Sequence, residues 1–266
     1  MGSVPNYTVV VGVDAKHLRQ LSWTLPTWQK HKKETMRHPM LVFYDREQVT
    51  EFEIRTTIQH SDLTMVPWPP EGVTYPEGDG ERWSNPQRHK MLAGFVHIAA
   101  RNISTSYWLK LDTDCVATGM DDWIDEKWFV GDPAIVCHRW TFTRPANQML
   151  KLDWWVSEHS DMLPRLAACQ PLDLVPQPGS DRVGHRRIIS WCGFFHTGFT
   201  LDCAKMAERT CSPFQLPVPS HDGYLFYCAK RLGLGIVRPN MKSRGFSQWL
   251  TSNNIVKAVK AAMEDK

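Results

Sequence analysis

In its first 66 residues the chain carries three runs of buried-type residues, the first two each followed by a stretch of helical spacing, and this alternation constrains the fold more than any other feature. Tyr7 to Val13 is rich in β-branched residues and ends at Asp14, after which Leu18, Leu21, Leu25 and Trp28 recur at helical intervals. Residues 40–44 read as a second buried strand ending in Asp45, a helical stretch is expected from about Glu47, and residues 63–66 read as a third short strand closed by Pro67. Such alternation is the pattern of a parallel sheet joined by right-handed crossovers. Pro26 is expected to bend or shorten the first helix. The expected class is α/β, with a central, mostly parallel sheet flanked by helices. At 266 residues the chain can bury a substantial core as one domain.

Composition excludes several classes. With 42% hydrophobic and 22% charged residues there is no case for global disorder, and a net charge of +3 is too small to argue by itself for nucleic-acid binding. The seven cysteines include no Cys-x-x-Cys and are scattered, which favours free thiols in a reducing compartment. The opening Met-Gly-Ser-Val-Pro-Asn lacks the basic and apolar regions of a signal peptide. The weakly polar run 91–100 is interrupted by His97 and falls short of the ~20 residues a membrane span needs. A soluble cytoplasmic protein is expected, unless a signal or anchor has been removed.

Residues 107–114, Tyr-Trp-Leu-Lys-Leu-Asp-Thr-Asp, form a strand-like run ending in two carboxylates. In an extended backbone alternate side chains share a face, so Asp112 and Asp114 can aim at one spot with α-carbons roughly 6.5–7 Å apart. Hard divalent cations such as Mg2+ or Mn2+ take such oxygen ligands and recruit substrate phosphates to complete their shell. The alternative is an aspartate turn that bonds its own backbone. Open α/β sheets bind ligands beyond the carboxyl ends of their strands, which is where this pair falls.

A hydrophobic strand ending in Asp-x-Asp near the middle of an α/β chain of this length resembles the nucleotide-sugar glycosyltransferases of the GT-A fold. The resemblance implies a GT-A-like, Rossmann-like domain over residues 1–266, with a nucleotide-sugar and metal half at 1–130 and a smaller acceptor half at 131–266. It implies that Asp112 and Asp114 hold Mn2+ or Mg2+ against the donor diphosphate.

Other residues then acquire roles to weigh. Asp14 either contacts the donor base or ribose, as the resemblance implies, or caps the following helix. Residues 67–86, rich in proline and glycine, read as a loop before a helix opened by Asn85-Pro86. Helical steps back from Phe95 through Leu92 and Met91 reach Arg88, placing it on the buried stripe as a donor-phosphate ligand or a structural ion pair. Arg82, His89 and Lys90 are weaker candidates. Residues 134–140 read as a strand and 148–158 as a helix. Residues 160–187 show little regular signal, and Arg182, His185, Arg186 and Arg187 there either hold an anionic acceptor or form a solvated loop.

Residues 188–201 alternate irregularly and read as a strand pair beside the donor pocket, followed by a helix over 202–209. Trp191, His196 and His221 are candidate acceptor contacts, although His196 among aromatics can equally be a satisfied buried side chain. Asp222 falls in the opening turn of a helix carrying Leu225, Cys228, Ala229 and Leu232. There it either complements the helix dipole or, as the resemblance implies, serves as acceptor base. Residues 236–237 read as a last strand and 254–264 as a terminal helix. The loop with Arg238, Asn240, Lys242 and Arg244 could close on the diphosphate, with Lys242 and Arg244 as donor ligands. The family often adds a histidine as third metal ligand. No histidine follows His221, so a water, Asn240 or the donor is expected in that place.

The implied function is metal-dependent transfer of a sugar from a UDP or GDP sugar to a hydroxyl acceptor, be it a glycan, a small molecule or a modified nucleic acid. Twelve tryptophans suit sugar stacking and core packing equally. Retention or inversion is left open. Two rivals stand beside this reading. A nucleotidyltransferase would want a glycine-rich basic loop after the first strand, which Gly12-Val-Asp14-Ala-Lys16 does not supply. A non-catalytic sugar- or nucleotide-binding protein could share the fold.

Overall fold

The computed structural model describes residues 3–75, 86–119, 121–145, 147–172, 175–176, 183–241, 245–248 and 252–264, with side chains described except at 139–145, 147, 175–176, 183–191 and 252. The first half is the expected alternation. β1 (Tyr7–Val13) leads into α1 (Ala15–His31), β2 (Met40–Asp45) into α2 (Glu51–Thr57), and β3 (Leu63–Trp68) precedes α3 (Pro86–His97) and the short α4 (Ala99–Asn102). β1 and β2 are almost wholly buried, as continuous apolar strands covered on both faces should be.

Two boundaries differ from the sequence expectation for local reasons. α1 runs unbroken through Pro26. Pro26 and Ser22, one turn back, both lie on the exposed face, so the carbonyl deprived of its N–H partner can be hydrated. α2 starts at Glu51 rather than near Glu47, because Asp45 first makes a turn with the N–H groups of Glu47 and Gln48. Thr50 and Glu53 then close a reciprocal capping box.

The second half adds β4 (Tyr107–Leu111), β5 (Cys115–Ala117), β6 (Ile135–Pro145), α5 (Asn147–Glu158), α6 (Pro164–Ala167) and β7 (Val175–Pro176). β8 (Val183–His196), α7 (Thr197–Thr210), α8 (His221–Arg231), β9 (Ile236–Val237), β10 (Phe246–Gln248) and α9 (Ser252–Glu264) complete it. Residues 188–201 are therefore one strand end and one helix start, not a strand pair. The His196 ring accepts the Phe199 N–H and caps α7, so the helix begins at 197. β6 also continues past the expected end at 140, to Pro145.

The main sheet has the order β3-β2-β1-β4-β8-β6-β9, with β7 on β8, and β5 and β10 form a separate two-stranded sheet. β3, β2, β1 and β4 are parallel, and β8 runs antiparallel between β4 and β6. The chain moves outward from β1 through β2 to β3 and then crosses to the other side of β1 for β4. Strand order thus reverses between β1 and β4, and the crevice beyond their carboxyl ends is the expected ligand position of an open α/β sheet.

The two faces of β4 divide the core. Trp108 packs with the cluster built by α3 and α5 to α8, whereas Leu109 and Leu111 pack with the cluster of α1, α2 and the β5–β10 sheet. Lys110 and Asp112 share the parity of Trp108. Gly12 and Gly94 make room for the Phe43 ring, since a Cβ at either would lie 2.4 Å from it.

Candidate donor and metal site

The switch point brings together the residues that end β1, β2 and β4. Asp14 leaves β1 and caps α1, its Oδ1 accepting from the His17 backbone at 2.8 Å and from the His17 ring at 2.7 Å. Burial alone would raise this carboxyl, but the His17 hydrogen bonds and charge outweigh it and hold it down at about 2. Asp45 leaves β2 fully buried and pairs with the Lys90 ammonium at 2.9 Å. The Gln87 amide spans the gap, donating to Asp45 at 2.8 Å and reaching Asp14 at 3.5 Å.

Beyond β4, Asp112 and Asp114 do converge, and a third group meets them. The Gln248 side-chain amide at the end of β10 lies 3.4 Å from Asp112 Oδ2 and from both oxygens of Asp114. Its position follows from register, because Gln248 pairs with Cys115, the residue after Asp114. Burial, and then the facing Asp112, push the Asp114 carboxyl well above the usual carboxylate range. Two anions aimed at one place and shielded from water resist double ionisation. Asp112 also pairs with the ammonium of Lys110 on the same face of β4.

The Lys110 ammonium sits 4.6 Å from the centre of the Phe95 ring in α3. On the same ring stacks His221, at 5.1 Å and 30°. The contacts thus run from Asp112 through Lys110 and Phe95 to the opening turn of α8, where Asp222 follows His221. Asp222 is buried, and its Oδ1 accepts from the Ser220 hydroxyl and, at 2.9 Å, from the Gly223 N–H. Ser220 is the N-cap itself.

Several predicted residues are placed elsewhere. Arg88 is exposed: the inward face of α3 at this turn is carried by Lys90 and Met91, so the helical steps from Phe95 through Leu92 led to the wrong side. Lys90 is committed to Asp45 and Glu47. His89 packs edge-on to Tyr75 at 5.7 Å. His196 pairs with Tyr107 at the start of β4, the opposite end of the strand from Asp112, and contacts Asp132 at 3.4 Å. It is a helix cap at the opposite end of the central strands from the carboxylate pair.

The backbone of Trp191 lies one residue past Cys192, the partner of Leu111, and so near the site. Its side chain, like those of His185, Arg186 and Arg187, lies outside the described residues, as do Arg82, Arg182, Lys242 and Arg244 altogether. Sequence reasoning missed Gln248, Gln87, Asp45 and Lys110. The alternation of Lys110 with Asp112 was a legible signal for one of them; nothing local marks Gln248.

No protein-family model and no curated protein sequence matches the chain. Among solved structures, core-mannan synthase A from Aspergillus fumigatus, in its Mn/GDP form, superposes with a TM-score of 0.56 at 13% identity, over 86% of this chain and 72% of that one. The galactosyltransferase LgtC, in complex with donor and acceptor sugar analogues, gives 0.51 at 9% identity over 97% of each chain. A 4-diphosphocytidyl-2C-methyl-D-erythritol synthase from Anaerococcus prevotii gives 0.52 at 11%, over 98% of this chain and 99% of that one. The fold is GT-A-like.

Proposed function

We propose that this chain is a glycosyltransferase that uses a divalent cation to take a sugar from a UDP or GDP sugar and pass it to a hydroxyl acceptor. The observation that carries this reading is the convergence of Asp112, Asp114 and Gln248 at the switch point of a GT-A-like sheet. Among the described residues no group of three His, Cys, Asp or Glu side chains could hold a metal. The donor set we assign from the described residues is two carboxylates and the Gln248 amide. All three can offer oxygen, which fits Mn2+ or Mg2+ with donor phosphates completing the shell. Bound there, the ion would supply Lewis-acid stabilisation of the departing diphosphate.

The remaining work falls to the chain itself. Asp14 and Gln87 line the crevice beside β1, where they would hydrogen-bond the nucleoside. Arg88, exposed at the opening of α3, and the loop with Lys242 and Arg244 would meet the outer phosphate. Asp222, its carboxylate plane set by Ser220 and Gly223, would accept the acceptor hydroxyl's proton as the new carbon–oxygen bond forms. His221 and Trp191 would border the acceptor.

The likeness to a synthase of a cytidine diphosphate compound over nearly its whole length keeps nucleotidyl transfer as a second reading. That chemistry consumes a nucleoside triphosphate and a sugar or polyol phosphate, so it predicts stabilisation by CTP or UTP with metal and none by a diphosphate nucleotide.

Thermal unfolding separates these readings. A midpoint rise that needs both Mn2+ and UDP or GDP, and is lost in Asp112→Ala/Asp114→Ala, is the expected result, because a ligand bound only to the folded state stabilises it. No shift with any nucleotide and metal at millimolar concentration would count against an enzyme and favour the binding-protein alternative.

A further inference from the structure

Lys110 is a lysine in the middle of a buried strand, 2% exposed, and the proposed chemistry has not used it. Its strand neighbours on the same sheet row are Val10 of β1 and Gly193 of β8, with Cys137 of β6 beyond Gly193. The Phe95 ring covers it from α3. A side chain at 193 would collide with Cys137, its Cβ lying 2.9 Å from the Cys137 Cβ. An ammonium held in so apolar a place needs an anion, and Asp112 supplies one.

We infer that Lys110 is a resident counter-ion of Asp112 that makes divalent-cation binding at Asp112 and Asp114 conditional on a diphosphate. The inference rests on the proposed donor site and adds an order of events to it. A divalent ion arriving alone must share Asp112 with a fixed positive charge a few ångströms away that cannot withdraw, because strand and ring hold it. A diphosphate arriving with the ion brings negative oxygens that balance both cations. The ammonium then opposes the ion by itself and favours the ion with its nucleotide, a coupling that works equally in both directions. Phe95 also carries His221, so the fixed ammonium and the start of α8 share one ring.

The test measures Mn2+ binding by electron paramagnetic resonance on the full chain, without nucleotide and with saturating UDP or GDP, for the native protein, Lys110→Met and Lys110→Arg. The native chain should bind Mn2+ at least about tenfold more tightly with diphosphate than without. Lys110→Met, which keeps the stem and drops the charge, should tighten Mn2+ binding alone by about tenfold or more and shrink the coupling. Lys110→Arg should retain it. Equal Mn2+ affinity of the native chain with and without diphosphate overturns the inference even if Lys110→Met does not fold. So does a folded Lys110→Met with unchanged affinity and coupling. Absence of Mn2+ binding to the native chain under both conditions overturns the donor-site reading together with this one.

Discussion

At the scale of single residues, the site divides into what alternation can show and what it cannot. Lys110 lies two residues before Asp112 in a strand-like run, and the carboxylate pair was legible from residues 107–114, but the pair meets through a turn rather than by strand alternation: β4 ends at Leu111, and the Cys115 N–H closes on the Asp112 carbonyl at 3.0 Å. Gln248 was not, because it reaches the pair from 134 residues away through a three-residue antiparallel ladder. Under the proposed donor site, the Gln248 amide joins water, Asn240 and the donor as a candidate third ligand. Gln248→Ala is expected to weaken Mn2+ binding in the presence of nucleoside diphosphate by about tenfold or more, and Gln248→His to retain it. Mn2+ titration of the three proteins checks this, and an unchanged alanine variant would remove Gln248 from the shell. Asp14 caps α1 through Oδ1, and its Oδ2 lies 3.5 Å from the Gln87 amide, so the cap and the proposed donor contact use different oxygens.

At the scale of elements, close packing overrides propensity. Gly94 sits inside α3, where alanine would ordinarily favour the helix by about 1 kcal/mol. Yet its added Cβ would fall 2.4 Å from the Phe43 ring, which Gly12 crowds from the neighbouring strand. Gly94→Ala is expected to destabilise the protein by about 1–3 kcal/mol, read from urea unfolding. Stabilisation would mean that Phe43 has room to turn aside. Pro26 shows the opposite case, a helix breaker tolerated because it faces solvent. The boundary at 196–197 was missed because His196 is an unusual cap, and the adjacent Thr197 is the first helical residue rather than the cap. Arg88 was misplaced because α3 buries nearly its whole circumference from Lys90 onward, so its apolar residues define no single stripe to extrapolate.

At the scale of the molecule, stability is tied to pH where helices lock onto one another. His97, almost fully buried in α3, donates from Nε2 to the Gln215 carbonyl at 3.1 Å, stacks on Trp68 and faces Glu208 and Arg101. Burial is the main cause that depresses it, to about 4 from 6.5. Between those values the unfolded chain binds the proton and the folded one does not, so the contribution is present above about pH 6.5 and lost as pH falls toward 4, on the order of 3 kcal/mol in all. His97→Gln is expected to flatten the fall in unfolding free energy over this window, and a slope equal to that of the native chain would sink the assignment. The strand–helix alternation and the parallel class were determined by the sequence itself, because period and burial pattern are local properties of consecutive residues, and the carboxylate pair is likewise local, closed by the turn from Asp112 to Cys115. Tertiary structure decided which distant groups meet. It set Gln248 on the pair, linked Lys110 to α8 through Phe95, and sent His196 to the opposite end of the central strands, since strand order and register depend on contacts across the chain that no local spacing encodes.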